Sequence, residues 1–353
     1  MAGFFPIFFK KFWSYGADAT ITTARLGLAN SIAGLLIALV SPMLGAIADK
    51  GSAKKKFLFM FAYLGVAMTS ALFLVRQGDW AMAVFCYVMA FIGFAGSNVF
   101  YNALIKTASS EEKMDMVSSL GYSLGYLGGG VLFAINVWMF LQPEVFGLED
   151  GSQAVRVSFL MVGSWWGIFS IPVFLFVKEP QKLSKQSYWT IIIAGFRQLS
   201  ITFKEIKQLK PILLFLVAYW FYIDGVDTIV VMSVNYGMTI GFSPDNLIIA
   251  LLIVQFVGFP ATMGFGYLSQ WIGTKPPIYL AIFVYFFMCI WGAFLRHSYE
   301  FYILAICIGL VQGGIQALSR SFYARMIPKE KSAEYFGFFN MIGKFGTIIG
   351  PEI

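Results

Sequence analysis

The sequence predicts an all-α membrane protein with about eleven helical segments. Composition and the spacing of apolar runs carry this prediction. Hydrophobic residue types make up 59% of the 353 residues and charged types only 12%, whereas a soluble domain carries roughly 25% charged residues. A soluble fold of this length would have to bury more apolar surface than its interior can hold. The composition therefore favours lipid as the solvent of this chain.

Ten apolar runs are long enough, or nearly long enough, to cross a bilayer as helices, which takes about 20 residues at a rise of 1.5 Å each. A further run before them, Met1 to Phe9, is too short to cross and lacks the basic start and cleavage site of a secretory signal. We interpret it as the remaining end of a first helix. We predict spans near residues 24–48, 57–75, 80–105, 118–141, 156–177, 211–232, 246–269, 277–295 and 300–318, with a last one that starts near Phe336.

The distribution of lysine and arginine predicts the orientation of the spans. If the loop 49–56 faces the cytoplasm, eighteen of these residues lie on the cytoplasmic side and six on the other, with Lys344 inside the last span. Cytoplasmic loops of membrane proteins carry an excess of positive charge. We therefore expect the loop 49–56 to be cytoplasmic.

The longest polar stretch, residues 178–210, divides the chain in two. It opens with Lys178-Glu179-Pro180 and continues as an amphipathic segment, which suits a helix lying at the membrane interface. We predict an N-terminal helical bundle at 1–177 with a truncated first helix, and a cytoplasmic linker with an amphipathic helix at 178–210. A C-terminal bundle follows at 211–353, in which the eleventh helix is cut and the twelfth is missing.

Two of the predicted cytoplasmic loops repeat one pattern. Asp49 follows Gly45 by four positions and Lys54 follows it by nine, while Gln270 and Lys275 stand at the same distances from Gly266. Internal repeats are a mark of secondary transporters. The offset of 266 − 45 = 221 residues predicts a twelve-helix protein. We expect this chain to be a fragment that lacks about ten residues at the front and about 45 at the back.

Three stretches of the chain resemble a branch of the major facilitator superfamily. They are Leu120 to Gly130, Tyr222 to Thr228, and Gln316 to Ser321 with its continuation through Ile327–Glu330 and Phe336-Gly337. The branch is the vacuole effluxer-like one, which contains autophagy-related vacuolar amino-acid exporters and bacterial relatives. The loop from Gly45 resembles the superfamily signature between helices two and three, with Gly51 one residue early and Ala53 where a basic residue is usual.

The resemblance implies a two-bundle fold with about eleven of twelve transmembrane helices present, and alternating access of a small polar solute such as an amino acid. We expect a cell (inner) membrane in preference to an organelle membrane. In this superfamily, helices one, four, seven and ten line a central cavity. The polar residues of helices four, seven and ten are therefore candidates for contact with substrate or protons: Asn98, Tyr101, Asn102, Asp224, Asp227, Gln312 and Gln316.

Asp224 and Asp227 are the strongest of these candidates. They lie three residues apart and share a helix face, and a carboxylate at mid-bilayer costs about 2.5–3.5 kcal/mol. Like charges this close favour a proton on one of the two, which suits a site that takes up and releases protons. The alternative is a structural ion pair, with Lys344 as the partner, and each candidate amide has helix-to-helix hydrogen bonding as an alternative role.

Two further sets of residues are candidates for conformational change. The first set predicts a gating loop closed by charge pairing and consists of Gly45, Asp49, Lys54 and Lys55. The alternative for Asp49 is a plain turn residue. Gly121, Gly125 and Gly129 recur at a spacing of four in helix five, and small residues at that spacing let helices approach closely. We predict a sliding or rocking contact there, with static packing as the alternative.

The remaining composition argues against other classes of function. One histidine and three scattered cysteines supply neither metal ligands nor a nucleophile with its base, so we expect no enzyme, metal or cofactor. No phosphate-binding loop, selectivity filter or nucleic-acid-binding pattern is present. We predict a secondary active transporter whose partners are a small-molecule substrate, the lipid bilayer and protons. The alternative is a truncated, non-transporting membrane protein or scaffold.

Overall fold

The structure is a computed structural model that describes residues 5–51, 53–179, 200–239, 241, 244–295 and 297–349. The described part is built of helices, and the first of them, Phe5–Phe8, is followed by a π-helical turn at Phe9–Trp13. Residues 200–208 are also helical. The helices are α1 (Phe5–Phe8), α2 (Ala19–Gly51), α3 (Lys54–Ala71), α4 (Trp80–Ala108), α5 (Met114–Leu141), α6 (Gly151–Phe176), α7 (Lys210–Thr239), α8 (Pro244–Ile272), α9 (Lys275–Gly292), α10 (Ser298–Met326) and α11 (Ser332–Ile349).

Nine helices of the described chain, α2 to α10, are long and apolar enough to cross a membrane. The predicted all-α membrane fold is thereby confirmed. Nine of the ten predicted spans lie within these helices or within a few residues of their ends, whereas the last, which starts near Phe336, lies in α11 and is not among the nine. The helices generally extend beyond the spans because an apolar run marks only the part in lipid, whereas helical hydrogen bonding continues into the polar ends.

The chain forms two compact units, and neither is a continuous stretch of sequence. Unit 1 contains α1 to α3, most of α4, the end of α5, α6 and α11; unit 2 contains most of α5 together with α7 to α10. Unit 1 comprises Met1–Leu104, Ile135–Lys204 and Glu330–Ile348, and unit 2 comprises Ile105–Ala134, Glu205–Lys329 and Ile349–Ile353. The predicted bundles at 1–177 and 211–353 follow chain order, which the units do not, so those boundaries stay a prediction. Most of the predicted amphipathic linker, residues 180–199, lies outside the described residues.

The N-terminal segment packs into an aromatic cluster within unit 1. Phe5, Phe9 and Trp13 are buried against Phe159 of α6. The Trp13 side chain is fully buried, and its indole nitrogen donates a hydrogen bond of 3.4 Å to the Val75 carbonyl. The predicted end of a first helix is therefore a short helical segment held by aromatic packing, while residues 1–4 lie outside the described chain.

Candidate functional site

Leu120–Gly130, Tyr222–Thr228 and Gln316–Ser321, which carry the family resemblance, lie on α5, α7 and α10 and are joined by contacts within unit 2, whereas the continuation Phe336-Gly337 lies on α11 in unit 1. The Tyr222 hydroxyl on α7 lies 2.6 Å from the Ser319 hydroxyl on α10. The guanidinium carbon of Arg320, also on α10, lies 4.6 Å from the centre of the Tyr122 ring on α5. The α10 stretch thus joins the other two, and unit 2 contains a polar centre assembled from all three.

Arg320 is a buried cation of this centre, with 4% of its surface exposed. Its Nε donates to the Ser118 hydroxyl at 2.9 Å and its Nη2 donates to the Ser118 carbonyl at 3.1 Å. A buried charge needs such partners, and the Tyr122 ring adds a cation–π contact that strengthens as water is excluded. From the sequence, Arg320 is predicted only as one of the cytoplasmic cations. Its position directly after Ser319 in the α10 stretch is the signal that could have identified it.

The two candidate carboxylates of α7 lie half-buried in the same unit. The Oδ1 atom of Asp224 is buried and has no hydrogen-bond partner among the described residues. Asp227 interacts electrostatically with the tyrosines Tyr126, Tyr219 and Tyr285. Within the described chain, the Tyr285 hydroxyl also lacks a hydrogen-bond partner, although its side chain is only 5% exposed. Unit 2 therefore holds buried oxygen atoms with unused hydrogen-bonding capacity beside α7.

The other predicted cavity residues divide between the two units. Gln312 is 9% exposed and Gln316 is half-buried, and both belong to unit 2 with the α7 carboxylates. Asn98, Tyr101 and Asn102 of α4 belong to unit 1. A cavity shared by all of them stays a prediction. The side chain of Lys344, the alternative ion-pair partner, lies outside the described side chains.

The predicted gating loop contains a buried ion pair. The Lys54 ammonium lies 2.8 Å from Asp49, and their side chains are 11% and 5% exposed. Asp49 also accepts a 2.8 Å hydrogen bond from the Glu334 backbone amide in the first turn of α11, and Lys54 donates to the Ser332 hydroxyl at 2.9 Å. Negative charge at a helix N-terminus is favourable. Asp49 thus connects the end of α2 to the start of α11 within unit 1.

Lys55 does not take part in this pairing, contrary to its predicted place in the gate. Its ammonium donates hydrogen bonds of 2.7 Å to the carbonyls of Phe174 and Val177 at the end of α6. Glu179 accepts from the backbone amides of Lys54 at 2.8 Å and Lys55 at 3.1 Å, and so caps the start of α3. A positive charge at the end of α6 and a negative charge at the start of α3 both complement the helix dipoles. Lys55 and Glu179 therefore fix α3 to α6.

The two glycines of the repeated loop pattern occupy similar packing positions. A Cβ atom at Gly45 would lie 2.2 Å from the Ala333 carbonyl oxygen in the first turn of α11. A Cβ atom at Gly266 would lie 2.8 Å from the Cβ of Ser119 near the start of α5. The first contact lies within unit 1 and the second within unit 2. Gly45 thus lets α2 approach the first turn of α11 in unit 1, and Gly266 lets α8 approach α5 in unit 2.

A second cluster of polar contacts lies at the start of α5 in unit 2. The Asp115 carboxylate forms an ion pair with Arg325 and accepts hydrogen bonds from the hydroxyls of Thr274, at 2.7 Å, and Ser321. Arg325 also donates to the Thr274 hydroxyl at 2.7 Å. The loop repeat did not predict this cluster, because the α8–α9 loop has Gln270 where the α2–α3 loop has Asp49. The carboxylate comes from α5 instead.

The predicted glycine stripe of α5 fits the structure only in part. A Cβ atom at Gly129 would lie 3.1 Å from the Gln255 side-chain nitrogen, and one at Gly130 would lie 3.1 Å from the Gln255 Cβ. At Gly125 no described atom lies within 4 Å of the added Cβ. Among the predicted stripe residues, Gly129 thus lies close to α8, with Gly130 beside it, whereas Gly125 departs from the predicted stripe. The role of Gly121 stays a prediction.

Comparison with known proteins identifies the family. A sequence profile described as "Vacuole effluxer Atg22 like" matches residues 16–353. The chain belongs to this family. The Atg22-like chain is 38% identical over 350 residues to "Uncharacterized MFS-type transporter YxiO" of Bacillus subtilis (strain 168), with 98% of this chain and 81% of that protein covered. It is 24% identical over 335 residues to "Autophagy-related protein 22" of Eremothecium gossypii, which covers 84% of this chain and 64% of the fungal protein's length.

A solved structure shows the same fold. The proton:xylose symporter XylE superposes with a TM-score of 0.70 at 11% sequence identity, covering 99% of the Atg22-like chain and 86% of the symporter. The predicted major facilitator fold and the predicted family branch are both confirmed. The relatives and the fold are those of secondary transporters rather than enzymes.

Replacing Asp49 by Asn tests the contact between α2 and α11. Removing one partner of a buried ion pair destabilises by about 3–5 kcal/mol, because the other charge stays buried and unpaired. We expect Asp49→Asn to change the maximal transport rate more than the apparent substrate affinity. Asp79→Asn is the matched control, since Asp79 is an exposed carboxylate that accepts from the Met82 backbone amide at the start of α4. An unchanged rate in Asp49→Asn would remove this residue from the gate.

Proposed function

We propose that this Atg22-like protein carries amino acids across the cell membrane by alternating access, with proton movement as the driving reaction. The family and the fold are those of secondary transporters. The substrate class rests on the resemblance to vacuolar amino-acid exporters and on the charges found in unit 2. Within the described chain, no cluster of potential metal ligands occurs, and the proposal requires none.

The proposal rests on one observation: the stretches on α7 and α10 that carry the family resemblance contain both positively and negatively charged side chains. Arg320 is a buried cation on α10, and Asp224 and Asp227 are half-buried carboxylates on α7. A free amino acid has a carboxylate that a guanidinium binds with charge-assisted hydrogen bonds, and an ammonium group that a carboxylate binds in the same way. Unit 2 thus contains the chemical groups that recognition of a zwitterion needs.

Proton coupling is assigned to the α7 carboxylates. An ionisable side chain within a membrane span is costly unless it is paired, hydrogen-bonded or protonated. The buried Oδ1 of Asp224 has no hydrogen-bond partner in the described part of the chain. Taking up a proton would give this carboxylate the neutral form that suits its surroundings, and releasing the proton would expose the charge to substrate or water. We therefore assign the coupled proton to Asp224, with Asp227 as the second site.

The cell membrane is the proposed location. The Bacillus subtilis relative is 38% identical, and the predicted excess of lysine and arginine in the loops facing the cytoplasm suits insertion into a cell membrane. The distribution of charge fixes only the orientation, so the location rests on the bacterial relative.

Uptake by reconstituted protein tests the proposal. The protein is placed in liposomes, and uptake of radiolabelled amino acids is followed with an imposed pH gradient and after an ionophore collapses it. We expect accumulation above equilibrium only while the gradient persists. A labelled neutral sugar serves as the control substrate, because it lacks both charged groups.

Three results would contradict parts of the proposal separately. Uptake of the sugar without uptake of any amino acid would refute the substrate class. Amino-acid equilibration at the same level with and without the gradient would refute proton coupling. No movement of either solute by correctly folded protein would support the alternative of a non-transporting membrane protein.

A further inference from the structure

A cavity of about 430 Å³ lies in unit 2, at the turn between α4 and α5 and the end of α10. Its wall includes the basic residues Lys106, Arg325 and Lys329, together with Ser110 and Glu111. The buried side chains of Met114 and Ile327 complete the lining on its apolar side. The turn at 109–113 and the 3₁₀ turn at Lys329–Lys331 belong to loops that the charge distribution places on the cytoplasmic side.

The cations of this cavity are held in place by the surrounding helices. The Lys106 ammonium donates hydrogen bonds of 2.7 Å to the Ala324 carbonyl and 2.6 Å to the Ile327 carbonyl, where α10 ends. Arg325 is fixed by Asp115 and Thr274, yet its side chain remains 28% exposed. A guanidinium has five N–H donors, so Arg325 retains donors beyond those that its two partners use. These side chains therefore need little reordering to receive a ligand.

Lys329 supplies a further charge and Ser110 a further donor. Both are exposed, and their side chains make no hydrogen bond or ion pair with another described residue. The cavity lining has a formal charge of +2, because it contains three cations and one carboxylate, that of Glu111. The charge falls to +1 when Asp115, the ion-pair partner of Arg325, is included. The cavity is thus cationic and should attract an anion, which the exposed carboxylate of Glu111 would repel.

We infer that this cavity binds a phosphate-bearing anion. Guanidinium, ammonium and hydroxyl donors around one small cavity match the oxygens of a phosphate group, and arginine can bind two of them at once. Two sources share this chemistry. Anionic lipid headgroups lie at the cytoplasmic surface, where basic pockets between transmembrane helices bind them, and soluble phosphates lie in the adjoining water.

The inference is independent of the proposed transport reaction. The cavity residues lie at the ends of α4 and α10, whereas Asp224 and Asp227 lie within α7. A bound anion would connect the α4–α5 turn with the end of α10 and stabilise this part of unit 2. Anything that binds only the folded protein raises its unfolding temperature, so binding is measurable without a transport assay.

The experiment measures thermal unfolding of the whole protein by tryptophan fluorescence in lipid nanodiscs. One arm compares phosphatidylcholine with mixtures containing increasing phosphatidylglycerol, and the other adds inorganic pyrophosphate to phosphatidylcholine nanodiscs. We expect a saturable rise of the unfolding midpoint in at least one arm. A rise with phosphatidylglycerol alone identifies a lipid headgroup as the ligand, and a rise with pyrophosphate alone identifies a soluble anion.

Three variants with single charge changes decide whether the cavity is responsible. Lys329→Gln removes one charge-assisted hydrogen bond and should weaken the apparent affinity about tenfold. Glu111→Gln removes the opposing carboxylate and should strengthen the affinity instead. Lys210→Gln, the control, changes an exposed lysine at the start of α7 that does not line the cavity, and should leave the affinity unchanged.

The opposite signs expected for Lys329→Gln and Glu111→Gln distinguish this site from general surface attraction. Equal weakening in Lys329→Gln and Lys210→Gln would overturn the inference, because it would show that only net charge matters. No stabilisation of the unmodified protein in either arm, or unchanged affinity in both cavity variants, would also overturn it.

Discussion

Asp224→Asn is expected to abolish accumulation of amino acids driven by a pH gradient while leaving folded protein in the membrane. Asparagine has nearly the same shape as aspartate but cannot carry the coupled proton as an acid. The carboxylate Oδ1 has no hydrogen-bond partner within the described chain, so the substitution breaks no contact made by that atom. The loss should therefore appear in coupling rather than in stability. The measurement is uptake with an imposed gradient, paired with exchange of labelled for unlabelled substrate at equal pH.

Exchange separates coupling from binding. If Asp224 serves only as the proton site, Asp224→Asn should still exchange substrate. If Asp224 also contacts substrate, the variant should lose both exchange and gradient-driven accumulation. Asp150→Asn is the matched control, because Asp150 is exposed and accepts a 2.7 Å hydrogen bond from the Gln153 amide at the start of α6. Gradient-driven accumulation at the normal level in Asp224→Asn would eliminate this residue as the proton carrier and leave Asp227 to be tested in the same way.

Gly45→Ala is expected to lower both stability and transport rate, through a steric clash with α11. The added Cβ would lie 2.2 Å from the Ala333 carbonyl oxygen and 2.8 Å from the Glu334 Cα, and these backbone atoms cannot rotate away. Overpacking of this kind costs about 1–3 kcal/mol. We expect a lower thermal unfolding midpoint and a reduced transport rate, because α11 must shift away from the end of α2.

Gly27→Ala provides the control in the same helix. Gly27 has no described atom within 4 Å of an added Cβ, and alanine favours a helix over glycine by about 1 kcal/mol. This variant should be neutral or slightly more stable. Gly266→Ala should also be milder than Gly45→Ala, since its nearest neighbour, the Ser119 Cβ, lies at 2.8 Å rather than 2.2 Å from the added Cβ. Equal midpoints and rates for Gly45→Ala and Gly27→Ala would show that α2 and α11 do not meet in the working protein.

The membrane fold was predictable because lipid imposes a simple rule on sequence. A span needs about 20 apolar residues, and this pattern is visible without knowledge of any partner. The packing of the α2 end followed from a local signal too, since Gly45, Asp49 and Lys54 lie within ten residues of one another. The family stretches on α5, α7 and α10 were also found from the sequence, although it did not reveal that they contact one another.

The partners of individual polar groups were not predictable. Lys54 and Lys55 are adjacent and chemically identical, yet one pairs with Asp49 and the other with carbonyls of α6. Helix direction turns the two side chains to different neighbours. Asp49 is close to Lys54 in sequence, whereas the partners of Lys55 are more than a hundred residues away along the chain. Asp115 was missed for the same reason, since its partners Thr274 and Arg325 come from distant helices.

The capping of α3 by Glu179 has a consequence for the order of assembly during synthesis. Glu179 lies 125 residues after Lys54, and the first amides of a helix have no partner within the helix itself. Chains emerge from the ribosome N-terminal end first, so α3 enters the bilayer before its capping residue has been translated. Water at the cytoplasmic surface must solvate those amides until α6 is complete. Consolidation of α3 is therefore a late event in biogenesis, and a nascent chain arrested before Glu179 should expose the start of this helix to proteases.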